Sequence, residues 1–243
     1  MSQLKPAISK KPISFLYDWT HRFKSFSPHT QRLMLKSALA AFTLSMFIEL
    51  SFKIQGIDSA STLQQIDNHI LLWAESLRSP ILNIMMIDIT ALGGLALTIL
   101  FGVVSVVFFL LGRDPGAAAH FVLTATGGYL SSIYTKGIIE RPRPDIIPKL
   151  IQAGGFSYPS GHAITISAVY LTLAILAARH FKKHIERVII FVLAIAVISA
   201  VCFSRVYLGV HYPSDILSGA LLGATWALVL AALFSKIHWK KYS

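Results

Sequence analysis

Six apolar runs set the terms for this chain: residues 33–54, 85–111, 117–136, 162–178, 187–203 and 214–234, to within a few residues. A hydrocarbon core of about 30 Å takes roughly 20 helical residues per crossing. A chain of 243 residues therefore has room for six spans and little else. Only 14% of its residues are charged, against about 25% in a typical soluble domain. There are too few polar side chains to coat a water-facing globule, so the surplus apolar surface must face lipid. The expected fold class is an all-α integral membrane protein, a six-helix bundle. A basic cytoplasmic tail (1–32) precedes the six-span domain (33–235), and a second basic tail (236–243) follows it.

The formal net charge is +11, but its distribution matters more than its total. Lys5, Lys10, Lys11, Arg22, Lys24 and Arg32 precede the first run, and Lys36 lies in its first turn. Arg179, Lys182 and Lys183 lie between the fourth and fifth, Arg187 opens the fifth, and Lys236, Lys240 and Lys241 follow the last. Cytoplasmic loops carry this excess of Lys and Arg, which places both termini inside. Anionic lipid headgroups suffice as partners for these clusters, and a nucleic-acid partner is not expected. The first 30 or so residues lack a signal-peptide pattern, so the first run should stay as an anchor. Phe15, Tyr17, Trp19, Phe23 and Phe26 would suit an amphipathic helix on the inner leaflet. Ile66, Ile70, Leu71, Trp73 and Leu77 repeat at helical spacing and predict a short helix along the outer interface. Gly93 and Gly94 predict close packing or a mild kink in the second run. The single cysteine, Cys202, lies inside an apolar run and reads as a small core residue.

Outer segments should be poor in Lys and Arg, yet Lys136, Arg141, Arg143 and Arg205 fall there, beside His162, His211 and Asp215. Ionisable residues at membrane depth are expensive and mark functional sites. The topology brings them together, because the third and fifth spans end outside and the fourth and sixth begin there. Cations with two imidazoles and a carboxylate make an anion site, and phosphate is its natural occupant. Ser160 is a good N-cap, Gly161 lets a backbone approach a ligand closely, and the helix they open offers free N–H groups to phosphate oxygens. Asp215, four residues after His211, can hydrogen-bond one imidazole nitrogen and leave the other free to attack. Arg141 reads as part of a rigid, solvated loop. Tyr158, Tyr207 and Tyr212 read as interface-belt aromatics, and His120 and Asp88 as isolated polar groups near helix ends.

Three segments resemble the signature motifs of the type 2 phosphatidic acid phosphatase superfamily. They are Lys136-Gly-Ile-Ile-Glu-Arg-Pro-Arg143-Pro144, then Pro159-Ser160-Gly161-His162, then Ser204-Arg205-Val-Tyr-Leu-Gly-Val-His211-Tyr-Pro-Ser-Asp215. The likeness covers about 60–235, with no departure at a defining position. It implies a lipid phosphatase that needs no metal or other cofactor. His211 would be the nucleophile, Asp215 its orienting carboxylate, and His162 the general acid and then base. Lys136, Arg143, Ser160, Gly161 and Arg205 would bind the phosphate. Undecaprenyl diphosphate, phosphatidylglycerophosphate and phosphatidic acid all suit such a site, facing outward from a bacterial inner membrane. A phosphotransferase acting toward a second lipid such as lipid A would share the chemistry. A non-enzymatic membrane protein would have left a degraded motif.

Overall fold

A capping side chain opens most of the helices. Ser27, Ser61, Ser79, Asp114 and Ser160 each accept a hydrogen bond from a backbone N–H of the first turn, and Pro28, Pro80, Pro115 and Pro213 start their helices. Both devices suit helix starts, where the early N–H groups have no partner inside the helix. The computed structural model describes residues 23–235 apart from 57 and 59. Most of the expected N-terminal amphipathic helix, and the C-terminal tail 236–243, lie outside the described residues. The helices are α1 (Pro28–Gln55), α2 (Thr62–Ser76), α3 (Pro80–Ala91), α4 (Leu95–Leu111), α5 (Pro115–Ile139), α6 (Gly161–Ala177), α7 (His184–Tyr207) and α8 (Pro213–Leu233). No strand occurs among the described residues.

Helix α1, α6 with the short 3-10 turn after it, α7 and α8 are long and apolar enough to cross a membrane. Helices α3 and α4 together make a fifth such stretch, bent by 44°. The bend falls at Leu92–Gly94, where the sequence suggested a milder kink. Gly93 gives clearance there, since a Cβ would lie 2.8 Å from Val201 and 3.3 Å from the His162 ring. Helix α5 covers the remaining run but falls short of the same length-and-apolarity measure. Its buried side includes Ala118, His120, Thr124, Gly128 and Ser132. Small and polar residues there let α5 pack closely, at the expense of apolarity. Helix α4 is the opposite case. It buries no residue, and Leu111 is 81% exposed. So broad an exposed apolar surface is stable only in lipid, and the chain is an integral membrane protein.

The bundle is centred on α6 and α8, whose apolar stretches are 56% and 50% buried, against 6% for α1. Gly219 and Gly223 on α8 form a Gly-x-x-x-Gly pair, which lets two helix backbones touch. A Cβ at Gly219 would lie 2.6 Å from the Ser160 carbonyl, and one at Gly223 would collide with the Ile164 carbonyl. The C-terminal ends of α5 and α7 and the N-terminal ends of α6 and α8 meet at one end of this core, with α2 lying against it.

Candidate active site

Backbone geometry turns the chain into this end of the bundle. Glu140 takes a left-handed conformation (φ 48°) and closes α5 with its N–H on the Lys136 carbonyl. The Arg141-Pro142-Arg143-Pro144 stretch cannot continue the helix, because each residue before a proline is pushed out of the helical region. Gly209 (φ +74°) ends α7 in the left-handed position that glycine fills at helix C-termini. His211 follows two residues later, and Pro213 then starts α8. Backbone bonds pin the intervening loop, from Leu150 N–H to the Leu208 carbonyl (3.0 Å), from Ser157 N–H to the Arg141 carbonyl (2.8 Å) and from Ser160 N–H to the Asp215 carbonyl (3.1 Å).

His211 is 2% exposed. Its Nδ1 faces the Ser157 hydroxyl at 3.3 Å and Asp215 Oδ2 at 3.6 Å, and Ser157 donates in turn to Asp215 Oδ2. Its Nε2 faces Arg143 Nη1 at 3.2 Å. An arginine can only donate, so Nε2 carries the lone pair and Nδ1 the proton. Burial pushes the His211 pKa down to about 4, with nearby Arg143 and Arg205 adding to the effect and Asp215 opposing it. The ring is therefore neutral at pH 7, with a nitrogen lone pair aimed at the cations.

Ser157 carries no signal in the sequence, and Arg141 departs from the solvated loop expected of it. Far from being solvated, Arg141 is 4% exposed and joins three segments of the chain. It donates to Asp215 Oδ1 (2.7 Å), Ser214 Oγ (2.7 Å), Asp67 Oδ2 (2.8 Å) and Gln64 Oε1 (2.9 Å). Its guanidinium lies 3.9 Å over the Tyr212 ring. Asp67, on α2, also accepts from the Ser214 N–H (2.9 Å) and hydroxyl. The physical reason is charge: two buried carboxylates need a forked cation between them. Asp215 is thus held from both sides, by Arg141 on Oδ1 and by Ser157 and the Tyr212 N–H (2.9 Å) on Oδ2. The three tyrosines also depart from the expected interface belt, being 0%, 1% and 7% exposed at Tyr158, Tyr207 and Tyr212. Tyr158 Oη pairs with Ser51 Oγ (2.7 Å), and Tyr207 Oη donates to Asn83 (2.8 Å). Their hydroxyls are satisfied inside the protein, so water is not needed.

Lys136, Arg205 and His162 lie within electrostatic reach of Arg143 and of one another. Arg143 is braced by the carbonyls of Gly154 (2.7 Å), Gly155 (3.0 Å) and Val210 (2.7 Å), and Lys136 by that of Phe156. Arg205 donates to Thr90 Oγ1 (2.8 Å), while its buried Nε has no hydrogen-bond partner. His162, at the start of α6, lies within electrostatic reach of Arg205, His211, Arg143 and Lys136. Ser160 Oγ caps the Ala163 N–H (3.4 Å), which leaves the N–H groups of Gly161 and His162 without a partner inside the helix, at a half-buried helix start. Four cations against the two carboxylates Asp67 and Asp215 leave the cluster two charges positive, the complement of a phosphate dianion. Among the described residues no three His, Cys, Asp or Glu side chains converge as a metal site.

Comparisons with known proteins point the same way. The family model described as the PAP2 superfamily matches residues 116–239. Phosphatidylglycerophosphatase B of Bacillus subtilis is 32% identical over 181 residues, 73% of this chain and 87% of that protein. Lipid A 4'-phosphatase of Porphyromonas gingivalis is 28% identical over 49% of this chain and 54% of its own. Among solved structures, the transmembrane PAP2 type phosphatidylglycerolphosphate phosphatase from Bacillus subtilis superposes with a TM-score of 0.74. It is 27% identical, with 82% of this chain and 96% of that one covered.

Proposed function

Given that the chain belongs to the PAP2 superfamily, we propose that it hydrolyses the terminal phosphate of a membrane lipid through a phosphohistidine at His211. Phosphatidylglycerophosphate leads the substrate candidates, because the B. subtilis phosphatidylglycerophosphatase matches over most of its length. Undecaprenyl diphosphate and phosphatidic acid follow. The protein crosses the cytoplasmic membrane of a bacterium six times, with α5 as the third span and the site facing outward. The loop charges support that orientation.

The observation that carries the mechanism is His211 itself, held neutral with Nδ1 toward Ser157 and Asp215 and Nε2 toward the cations. In the first step the Nε2 lone pair attacks phosphorus, and the bond from phosphorus to the lipid oxygen breaks. His162, protonated as the dianionic phosphate binds among the cations, gives that proton to the lipid oxygen and becomes neutral, and Asp215, through Ser157, stabilises the positive charge that develops on the His211 ring. In the second step water attacks phosphorus, neutral His162 takes the water proton, the phosphorus–nitrogen bond breaks, and inorganic phosphate leaves. Lys136, Arg143, Arg205 and the N–H groups at the start of α6 hold the phosphate oxygens throughout. Such preorganised charge supplies most of the catalysis in phosphoryl transfer, so no metal is required.

The test is phosphate release by detergent-purified protein in EDTA, from phosphatidylglycerophosphate, undecaprenyl diphosphate and phosphatidic acid, beside His211→Ala. Brief reaction with 32P-labelled substrate and an alkaline quench should leave label on the wild type and none on the variant. Turnover by His211→Ala within tenfold of wild type would overturn the nucleophile assignment. Activity lost in chelator and restored by magnesium would overturn the metal-free mechanism. Label that forms on the protein but leaves only when a second lipid is added would identify a phosphotransferase instead.

A further inference from the structure

Asp67 is a buried carboxylate that no step of the hydrolysis uses. It is 1% exposed, on the inward face of α2, and stands behind the site rather than in it. Its Oδ2 accepts from Arg141 Nη2 (2.8 Å) and from the Ser214 hydroxyl, and its Oδ1 from the Ser214 N–H (2.9 Å). The other terminal nitrogen of the same guanidinium, Nη1, donates to Asp215 Oδ1 (2.7 Å), and Gln64 Oε1 takes a further bond from Nη2 (2.9 Å). Asp215 turns its Oδ2 the opposite way, to Ser157 and, at 3.6 Å, to His211 Nδ1. Asp67, Arg141, Asp215 and His211 thus make a chain of contacts whose charges alternate in sign once the ring becomes cationic.

Charge decides what this second carboxylate does. Arg141 and Asp215 alone would make a neutral pair, and the guanidinium would cancel the charge that the ring needs. With Asp67 the three groups carry one net negative charge, in an interior where water screens poorly. Holding the fold does not call for that charge. Burying a second carboxylate is costly, and an asparagine would fill the same volume. The negative charge has its use on the other side of Asp215. There the His211 ring is neutral before the phosphoryl group arrives and positive for as long as it carries it.

We propose that Asp67 is a positioning residue that neutralises Arg141, so that the charge of Asp215 stays available to the ring cation of the phosphohistidine. It touches neither substrate nor reacting atom and acts through Arg141. This role rests on the phosphohistidine at His211 and adds the group that sets its lifetime. Attack by Nε2 creates the positive ring, and departure of phosphate abolishes it. Removing the Asp67 charge therefore slows formation of the phosphorus–nitrogen bond and speeds its hydrolysis. Loosening of the scaffold would slow both. The same change leaves the cluster one charge more positive, so substrate binding does not weaken.

The experiment follows protein-bound label in the full-length, detergent-purified enzyme, mixed rapidly with phosphatidylglycerophosphate carrying 32P in its terminal phosphate and quenched in alkali. A chase with unlabelled lipid gives the rate of breakdown. Asp67→Asn should slow label formation about tenfold or more, leave breakdown as fast as in the wild type or faster, and not raise KM. Gln64→Glu is the opposite perturbation, a further carboxylate on Arg141 at a half-buried position. It should slow breakdown and let label accumulate, and it reads the same charge effect even where Asp67→Asn fails to fold. Ser214→Ala cuts hydrogen bonds to both Asp67 and Arg141 without changing charge, and should not move the two rates in opposite directions. A parallel fall of both rates in Asp67→Asn, or an unchanged breakdown rate in Gln64→Glu, would overturn the role of charge. Label absent from the wild type while phosphate is released would overturn the phosphohistidine, and this role with it.

Discussion

Replacing Arg141 by methionine keeps most of its volume and removes the cation that joins Asp67 to Asp215. The two carboxylates are 1% and 0% exposed, at 2.8 and 2.7 Å from the guanidinium. Neither can reach water when that partner goes. Breaking a buried ion pair by deleting one member costs about 3–5 kcal/mol, because the other charge is left uncompensated. For a chain of this size that lowers the unfolding midpoint by roughly 6–20 °C. The companion variant Arg141→Lys keeps the charge but loses the fork, since one ammonium cannot span both Nη positions. Arg141 touches Asp215 and not the phosphate site, so Arg141→Lys should lower kcat about tenfold or more with KM little changed. Arg143→Lys should instead raise KM. The double variant Arg141→Met/Asp67→Asn should be more stable than the sum of its singles, because it removes opposite charges together. The assays are thermal unfolding in detergent and steady-state phosphate release. A midpoint within 2 °C of wild type for Arg141→Met, or a KM effect without a kcat effect for Arg141→Lys, would refute the reasoning.

Asp215→Asn sets an amide N–H2 against a donor on one side or the other, Arg141 or the Ser157 and Tyr212 pair. It should cost on the order of 10⁴-fold in kcat, by analogy with the mis-set tautomer of a serine-protease triad, and a loss below tenfold would exclude an orienting role. Ser157→Ala should also slow turnover by breaking the bridge from Nδ1 to Asp215, with KM unchanged in the same assay. The folded-state pKa of His211 is about 4 against 6.5 for the free side chain, so the unfolded chain binds more protons between those values. The ring's contribution is present in full above pH 6.5 and is lost as pH falls through 4, about 3 kcal/mol in all. Unfolding midpoints at pH 7 and pH 4.5 should differ less in His211→Gln than in the wild type, and equal differences would count against a neutral buried ring. Gly219→Leu drives a side chain into the Ser160 carbonyl. It should cut folded yield sharply on size-exclusion chromatography, where Leu217→Ala, on an exposed face, should not.

Most of the fold was legible because the bilayer enforces a simple rule: five of the six apolar runs each became one helix, the second became the bent α3–α4 pair, and Ser, Asp or Pro marks most of the helix starts. The cations and histidines of the site were legible because charge is rare at membrane depth. What escaped was the scaffold behind them. In Arg141-Pro142-Arg143 nothing in the local pattern tells which guanidinium turns inward, since that depends on carboxylates far away in the chain. Asp67 left a faint trace. It shares a helix face with Leu71 and Ala74, both fully buried, so a single acid lay on the stripe that faces the core. The apolar members of α2 dominate its pattern and mask that acid. Ser157 gave no such sign, because its importance comes from a loop shape imposed by backbone bonds and by the Arg143 and Lys136 side chains.

The contact of α6 with α8 through Gly219 and Gly223 also bears on how such a protein acquires a new specificity. His162 and Ser160 ride on one of these helices, and His211 and Asp215 begin the other. With their backbones in touch, the reacting groups are inherited as a block, and adjusting one helix displaces both. Variation in substrate must then enter through parts that bury little, above all the bent α3–α4 pair and the loop from Asp145 to Phe156. A library built to retarget this protein to another lipid belongs in those two places. Sequences recovered from it should keep both glycines while the α4 surface drifts freely.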